Sequence, residues 1–216
     1  MKKIIMFAIF RMTLINAFCQ SNSFLFYFPL IKNDSIFNTM YGQTIYYNLS
    51  LKKSLPDSIS LKYIFDNNEI KMYGLEEGYN VDTDEYSTIT YVKKVKPIFK
   101  RKANDYYLLC YGFESILYLS IYDPKLDKIL SSIVISDFSD EMGNIVTHSI
   151  VFSNTYIVKI KIENKIRYEL IKIDYVVPEF KLVKQIEVNT VMEDLKSIIK
   201  NAFTVLEITS KGEPIK

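Results

Sequence analysis

Three short segments of the sequence carry residue types that could perform chemistry, and the first is an acidic loop. It places oxygen ligands at nearly alternate positions, at Asn80, Asp82, Asp84 and Glu85. Hard cations such as Ca²⁺ bind clusters of carboxylate and amide oxygens. The helix–loop–helix calcium motif also needs glycine at its sixth position and glutamate at its twelfth, where this loop has Glu85 and Tyr91. The loop therefore suggests calcium as the one candidate cofactor, with a solvated acidic loop as the alternative.

The second segment is strongly basic, and we call it the basic segment. Six cationic side chains fall within ten residues: Lys93, Lys94, Lys96, Lys100, Arg101 and Lys102. Because Tyr91 and Phe99 are interleaved with them, these charges could bind an acidic polysaccharide or lipid headgroups. The alternative is an ordinary solvated strand face, since charge runs are common on protein surfaces.

The third segment is acidic and lies between two predicted strands. Its carboxylates are Asp137, Asp140 and Glu141. A pair of carboxylates can serve as general acid and general base, as in glycoside hydrolysis, so a hydrolase is one hypothesis for the protein. The neighbouring Gly143 and Asn144 are typical turn residues, and they explain the segment as a hairpin turn without catalysis.

Histidine and cysteine give little support to catalysis. His148 is the single histidine, and it is the one imidazole that a hydrolase could use beside the acidic segment. Cys110 lies in an apolar run, where a thiol behaves as a small hydrophobic group, so we expect it to be buried rather than paired with His148. The sequence contains no G-x-S-x-G, H-E-x-x-H, P-loop or Rossmann glycine pattern. So few histidines and cysteines also disfavour a zinc site.

A β-rich fold must position these segments. Seven runs rich in β-forming residues are separated by turn residues, at 106–111, 115–122, 128–136, 144–152, 156–162, 166–174 and 179–188. Connections of hairpin length predict antiparallel pairing in chain order, and no helix-length segment separates the strands as parallel pairing would require. We predict a mainly β protein, in which an antiparallel meander forms a curved sheet or a small barrel.

The alternation of residues along these runs predicts which faces are buried. The run 156–162 alternates apolar residues with Lys159 and Lys161, so we expect one buried face and one solvated face that carries the two lysines. The runs 106–111 and 115–122 are apolar or aromatic on both faces. We therefore expect these two strands at the centre of the fold, covered on both sides.

Two short helices complete the predicted fold. One is expected at about 55–65, although a strict alternation there also fits a strand: Ile59, Leu61, Tyr63 and Phe65. The other is expected at about 191–201, where Thr190 and Glu193 match a capping box. Apolar residues then recur at helical spacing, at Val191, Leu195, Ile198 and Ala202.

The N-terminal residues have the pattern of a secretory signal peptide at 1–19. Two lysines form a basic start, a short apolar run follows, and Ala17 and Cys19 occupy the small-residue positions before the cleavage site. Phe18 disfavours a lipid anchor at Cys19, because lipoprotein signals place a small residue before the cysteine. The apolar run is far shorter than the roughly 20 residues that a spanning helix needs. We expect an exported protein (periplasmic, cell-surface or secreted) without a transmembrane segment after cleavage.

Composition and charge narrow the function classes. Hydrophobic residues make up 49% of the 216, which is typical of a folded globular protein. No linker rich in serine, glycine or proline divides the chain, so we expect a single β-rich domain over 20–216. Cleavage would remove three of the 27 basic residues and leave 24 against 25 acidic ones, which argues against nucleic acid as a partner. We expect a non-enzymatic binding or interaction module, whose partner could also be an envelope protein. A hydrolase and a structural envelope component are the alternatives.

Export predicts a defined mature N-terminus. Cleavage after Cys19 leaves Gln20 as the first residue, and an N-terminal glutamine can cyclise to pyroglutamate. Intact-mass measurement of the protein recovered from its producing cell should therefore give the mass of residues 20–216, with or without the loss of ammonia. A diacylated Cys19 would identify a lipoprotein instead, and recovery of the chain with Met1 intact would contradict export.

Overall fold

The computed structural model of the chain describes residues 23–31, 37–38, 53–65, 73–80, 85–137, 146–152, 154–189 and 194–215. The predicted signal peptide and its cleavage site lie outside these residues. Helical content within them is small. It comprises α1 (Ser23–Phe26), α2 (Asp57–Ser60) with a π-helical turn that continues it (Leu61–Phe65), and α3 (Leu195–Leu206). Among the described residues, no helix combines the length and the apolar character that crossing a membrane requires.

Strands account for most of the described chain. The first three are β1 (Phe37–Asn38), β2 (Tyr73–Asn80) and β3 (Glu85–Val92), and β2 and β3 form a separate antiparallel hairpin. The other eight form one antiparallel sheet in chain order: β4 (Lys96–Ala103), β5 (Tyr106–Phe113), β6 (Ile116–Asp123), β7 (Lys128–Asp137), β8 (Val146–Phe152), β9 (Tyr156–Ile162), β10 (Lys165–Asp174) and β11 (Glu179–Asn189). The short strand β1 adds a ninth member to this sheet by pairing antiparallel with β8. The predicted meander is confirmed, and the sheet remains open instead of closing into a barrel.

A single apolar core joins the two halves of this sheet. The described residues connect β7 to β8 through one register pair, Asp137 with Thr147, so backbone pairing contributes little at this junction. Side chains from both halves nevertheless belong to one buried cluster, which we call the inner core: Phe99, Leu108, Cys110, Leu119 and Ile135 from β4–β7, and Val151, Ile157, Ile171 and Ile173 from β8–β10. The sheet must therefore bend until one face of its first half packs against the same face of its second half. Cys110 is buried there, as expected from the sequence.

The opposite faces of the two halves are covered by separate helical segments. The first half packs its outer face against the N-terminal segments, in a cluster that includes Phe24, Phe28, Leu55, Tyr63, Leu109, Tyr111 and Tyr122. The second half packs its outer face against α3, in a cluster that includes Val158, Ile160, Tyr168, Ile198, Ala202 and Leu206. Strands β5 and β6 are consequently buried on both faces. This arrangement confirms the prediction made from their apolar and aromatic residues.

One carboxylate attaches the N-terminal segment to the sheet. Asp127 lies in the β6–β7 turn with a φ of 52°, in the left-handed region. It accepts hydrogen bonds from the hydroxyl of Tyr63, at 2.8 Å, and from the hydroxyl of Tyr122. The Lys62 ammonium lies 3.3 Å from the same carboxylate. Phe24 stacks on Tyr63 with ring centroids 4.2 Å apart, so α1 and the π-helical turn are held in one unit.

Contacts at one end of the sheet also bring its two halves together. Tyr106, at the start of β5, stacks on Tyr175 of the β10–β11 turn, with ring centroids 6.1 Å apart. The hydroxyl of Tyr175 donates to the carbonyl of Asn154 at 2.8 Å, and the side-chain amide of Asn154 donates to the carbonyl of Lys102 at 3.2 Å. Three turns are therefore tied together at this end, beside the inner core.

The C-terminal helix begins later than the sequence pattern predicts. Its N-cap is Asp194 rather than Thr190, which lies outside the described residues. The Asp194 carboxylate accepts hydrogen bonds from the backbone N–H groups of Lys196, at 2.9 Å, and Ser197, at 3.1 Å. A carboxylate at this position satisfies two free backbone donors and interacts favourably with the helix dipole, which fixes the start at Leu195. The first predicted helix, at about 55–65, is confirmed as α2 and its π-helical continuation.

The inner core predicts a large and cooperative loss of stability on truncation of Ile157. This side chain is fully buried where the two halves meet, so Ile157→Ala should lower the free energy of unfolding by about 2–5 kcal/mol through lost burial and a cavity. Urea denaturation should still show one transition, because both halves share the core. The matched control is Val176→Ala in the β10–β11 turn, where the valine is 93% exposed and the change should stay within about 0.5 kcal/mol. Two separate transitions in either protein would contradict a shared core.

Candidate functional site

The predicted calcium loop is only partly within the described residues. Asn80 ends β2 and Glu85 begins β3, and the two are register partners in the hairpin. Asp82 and Asp84 lie outside the described residues. Within the described part of the chain, no group of three or more histidine, cysteine, aspartate or glutamate side chains could hold a metal ion. Calcium binding at this loop remains a prediction from the sequence.

The six cationic side chains of the basic segment do not lie together. Two of them form ion pairs within the protein, and those on β4 are distributed over both faces of the sheet. The ammonium of Lys93 lies 3.3 Å from the carboxylate of Glu114, and that of Lys94 lies 2.9 Å from Asp57. Arg101 is only 4% exposed, on the face of β4 that also carries Phe99 of the inner core, with its guanidinium 5.9 Å from that ring.

The remaining lysines of the basic segment follow the alternation of β4. The half-buried Lys100 donates to the carbonyl of Leu25 in α1, and burial lowers the pKa of this lysine. Lys96 is partly exposed and Lys102 is exposed. Since neighbouring residues of a strand point to opposite faces, Lys100 and Lys102 lie opposite Arg101. A β-bulge between Pro97 and Phe99 separates Lys96 from this alternation. The six charges therefore do not form one continuous surface, and binding of an anionic polymer here remains a prediction.

The residues suggested for a hydrolase are not brought together in the described structure. Asp137 ends β7, whereas Asp140 and Glu141 lie outside the described residues. His148 pairs in register with Ile160, whose side chain belongs to the outer cluster under α3. Cys110 lies in the inner core, so this cysteine and His148 are on opposite faces of the sheet. The described geometry contains no base–nucleophile pair built from these two residues.

A charged cluster lies where the inner face of β9 and β10 changes from apolar to polar. Ile157 and Ile171 are register partners, and both belong to the inner core. Two residues along each strand, Lys159 pairs with Glu169. Because strand residues two apart share a face, Lys159 and Glu169 also lie on the inner face. The same alternation and register add the other members of what we call the polar end: Thr147, Ser149, Lys161 and Arg167.

Lys159 is the unusual member of the polar end. It is only 7% exposed, and within the described residues its ammonium has no hydrogen bond or salt bridge. Burial, and next the neighbouring charge of Lys161, lower the pKa of Lys159 to about 8, against the attraction of Glu169 and Asp137. A buried cation without a directly bound partner is energetically costly. The polar end therefore favours the arrival of negative charge.

The other charged side chains around Lys159 are paired with one another. The Lys161 ammonium lies 3.4 Å from the Glu169 carboxylate. Arg167 binds Glu187 of β11 through two guanidinium nitrogens, each 2.8 Å from the same carboxylate oxygen. Both carboxylates are thus already engaged by cations, which explains why neither supplies a direct partner to Lys159.

A shallow pocket opens beside these pairs. Its volume is about 140 Å³, and its lining residues are Lys161, Glu163, Asn164, Lys165, Arg167 and Glu187. Three of the six are cationic and two are carboxylates, so the net formal charge is positive, and a small anionic group can enter from solvent without crossing the apolar core. Lysine is a strongly hydrated point charge and arginine a planar fork, and both are suited to carboxylate and phosphate. The arrangement can bind an anion, and it presents one amine that is easily deprotonated.

Sequence reasoning assigned this site to the wrong environment. The alternation in β9 correctly predicts that Lys159 and Lys161 share a face, but that face is interior at Lys159 rather than solvated. The signal that could have found it is the neighbouring strand, where Glu169 interrupts an otherwise apolar stretch at a position that pairs with Lys159. A buried acidic residue opposite a lysine indicates a polar site inside a sheet.

Comparisons of the chain with protein-family models, with curated proteins and with solved structures give no match.

The environment of Lys159 predicts how stability depends on pH. Its pKa is lowered in the folded protein to about 8 from the ordinary 10.5, so between these values the unfolded chain binds more protons and stability rises with pH. Below about pH 8, Lys159 is charged in both the folded and the unfolded chain, so the free energy of unfolding is lowered by the full penalty of burying the charge. Lys159→Met should therefore raise the free energy of unfolding at pH 7 by about 1–3 kcal/mol, and this advantage should shrink as pH approaches 10. The measurement is urea denaturation of both proteins at each pH.

Lys172→Met is the matched control for that series. Lys172 is exposed and pairs with Tyr156, which packs against the outer cluster rather than the inner core. Its removal should change stability by less than about 0.5 kcal/mol at every pH. A Lys159→Met protein that is destabilised at pH 7 would contradict the uncompensated buried charge.

Proposed function

We propose that this chain is an exported, non-enzymatic binding module whose polar end binds an anionic group. The single observation that carries the proposal is Lys159, a residue that is 7% exposed and whose ammonium has no hydrogen bond or salt bridge within the described residues. An anion bound beside it would compensate for the partial loss of hydration that burial causes and would offset the repulsion from Lys161. The ligand class is a carboxylate or phosphate, as found on acidic polysaccharides and lipid headgroups.

The surroundings of Lys159 support a binding role by their charge and by their rigidity. The pocket is lined by three cations, Lys161, Lys165 and Arg167, and by two carboxylates, Glu163 and Glu187, so its net formal charge is positive. The site stands on paired strands, with Ser149 and Glu169 as the register partners of Lys159 on either side. Groups held on regular strands are better preorganised for binding than groups on loops.

The hydrolase alternative has less support in the described structure. A glycosidase needs two carboxyl groups facing each other across the scissile bond, one as acid and one as base or nucleophile. At the polar end, Glu169 and Glu187 are each bound to a cation, Lys161 and Arg167 respectively. Binding is therefore the function that these contacts favour.

Anion binding should be measurable as stabilisation of the folded protein. Phosphate and glucuronate should raise the melting temperature at constant ionic strength, because a ligand that binds only the native state adds stability in proportion to its occupancy. Calorimetric titration should then show affinity for both anions falling about tenfold or more in Lys159→Gln, which removes a charge-assisted contact. Uncharged glucose should produce no shift in either protein.

The control variant is Lys172→Gln, which removes an exposed lysine from the other face of β10. It should bind both anions with unchanged affinity. Equal affinity of wild type and Lys159→Gln for phosphate and glucuronate would overturn the proposal. Equal stabilisation by chloride, phosphate and glucuronate at the same ionic strength would also overturn it, because it would reflect general screening of surface charge.

A further inference from the structure

The amine of Lys159 has an environment that differs from those of the other described lysines. An ordinary exposed lysine is almost entirely protonated at neutral pH, and its ammonium is not nucleophilic. Lys159 is buried beside Lys161, and these two causes bring its pKa to about 8. At pH 7 the fraction of neutral amine is then on the order of a hundredfold larger than for a reference lysine of pKa about 10.4. Desolvation beside a second cation is a recognised way of activating a lysine as a nucleophile.

Lys100 provides an internal comparison. Burial also lowers the pKa of this lysine. Its ammonium donates a hydrogen bond to the carbonyl of Leu25, however, and this contact stabilises the protonated form and occupies the nitrogen. The nitrogen of Lys159 has no such acceptor within the described residues. Burial alone therefore does not distinguish Lys159, whereas burial without an acceptor does.

A proton acceptor and an anchor for a charged group lie close to Lys159. Glu169 is its register partner on β10, and the side chain of this glutamate is 10% exposed and 3.4 Å from Lys161. The pocket at the mouth of the polar end is lined by Lys161, Lys165 and Arg167. Lys161 and Arg167 of this lining are register partners two residues along the strands from the Lys159–Glu169 pair, so they share its face and are its neighbours on that face.

We infer that Lys159 captures an aldehyde or ketone that also carries a carboxylate or phosphate group, through a reversible imine between its ε-amine and the carbonyl carbon. The inference rests on the proposed anion-binding function and adds the chemical class of the ligand. The anionic group occupies the pocket at Lys161, Lys165 and Arg167, and the carbonyl reaches the buried amine. Binding remains non-enzymatic, because hydrolysis of the imine returns the ligand unchanged.

The atoms of this reaction balance without any further reagent. The neutral amine of Lys159 attacks the carbonyl carbon and forms a C–N bond while the C=O π bond opens, and one of the two nitrogen protons passes to the oxygen to give a neutral carbinolamine. The nitrogen then loses its remaining proton to the carboxylate of Glu169, and this proton passes to the carbinolamine hydroxyl. The C–O bond then breaks, one water molecule leaves, and the C=N bond forms. Oxidation states do not change, so no oxidant or reductant takes part in the capture itself.

Borohydride trapping tests the inference on the wild-type chain. The protein is incubated with a limiting amount of one carbonyl compound: glyoxylate, glyceraldehyde 3-phosphate or uncharged glyceraldehyde. Borohydride is then added, and the labelled lysines are identified by digestion and mass spectrometry. We expect the two anionic carbonyl compounds to label Lys159 at least about tenfold more than Lys172, given its larger fraction of neutral amine. Labelling should rise between pH 7 and pH 9, and glyceraldehyde should show little preference for Lys159.

Variants separate the amine from the anion anchor. Lys159→Arg keeps the positive charge but has no nucleophilic amine, so it should still bind phosphate and lose the preferred label. Lys161→Gln with Arg167→Gln should reduce the advantage of the anionic carbonyl compounds over glyceraldehyde. Circular dichroism of each variant establishes folding, and the wild-type labelling pattern gives a result even where a variant fails to fold.

The outcomes distinguish this inference from the function on which it rests. If phosphate binds as proposed but Lys159 is labelled no more than Lys172, the imine is wrong and the anion site stands. If neither phosphate binding nor selective labelling is found, both are wrong. Selective labelling of Lys159 by all three compounds to the same extent would retain the reactive amine but refute the anionic class of ligand.

Discussion

The inner core is the constraint on which the rest of this structure depends. Hydrogen bonding passes between β7 and β8 through a single described register pair, Asp137 with Thr147, so the two halves of the sheet are held mainly by apolar burial. Side chains such as Leu119 and Ile157 are removed completely from water only because the halves face each other. Apolar burial contributes roughly 25 cal/mol per Å², and a core shared by both halves therefore makes the bend of the sheet energetically favourable.

The same bend creates the candidate site. Once one face of β9 becomes interior, every second residue of that strand must be accommodated inside, whether it is apolar or charged. Ile157 satisfies this requirement, whereas Lys159 does not, and the chain places Glu169 and Ser149 opposite it. The cost of holding an ammonium there is a loss of stability that a purely structural sheet would not need. Functional sites commonly retain such a loss of stability, because a charged group without a partner in the free protein binds an oppositely charged ligand more strongly.

Much of the fold could be predicted from local sequence, and the limits of that prediction have physical causes. Runs of β-forming residues and turn residues between them predicted the order and antiparallel pairing of β5 to β11, since hairpin connections leave few alternatives. The start of α3 was predicted too early, because Thr190 and Asp194 are both good N-cap residues, and it is Asp194 that accepts the two backbone hydrogen bonds at the start of the helix. The basic segment looked continuous in sequence, yet Lys100 and Arg101 point to opposite faces of β4.

The sequence by itself determined the strands β5 to β11, their pairing and which of their residues share a face, because these follow from a two-residue period and from turns that act over a few positions. It did not predict β1 to β4, where the periodicity is weaker. Only the tertiary structure decided which face is inside. Lys159 and Lys161 alternate with apolar residues, as lysines on a solvated face do. Nothing in the sequence of β9 shows that Lys159 is buried in the folded protein. That outcome depends on contacts between residues far apart in the chain, from Phe99 to Ile173. Burial, and with it the pKa of Lys159, is therefore a property of the bent sheet and not of the strand.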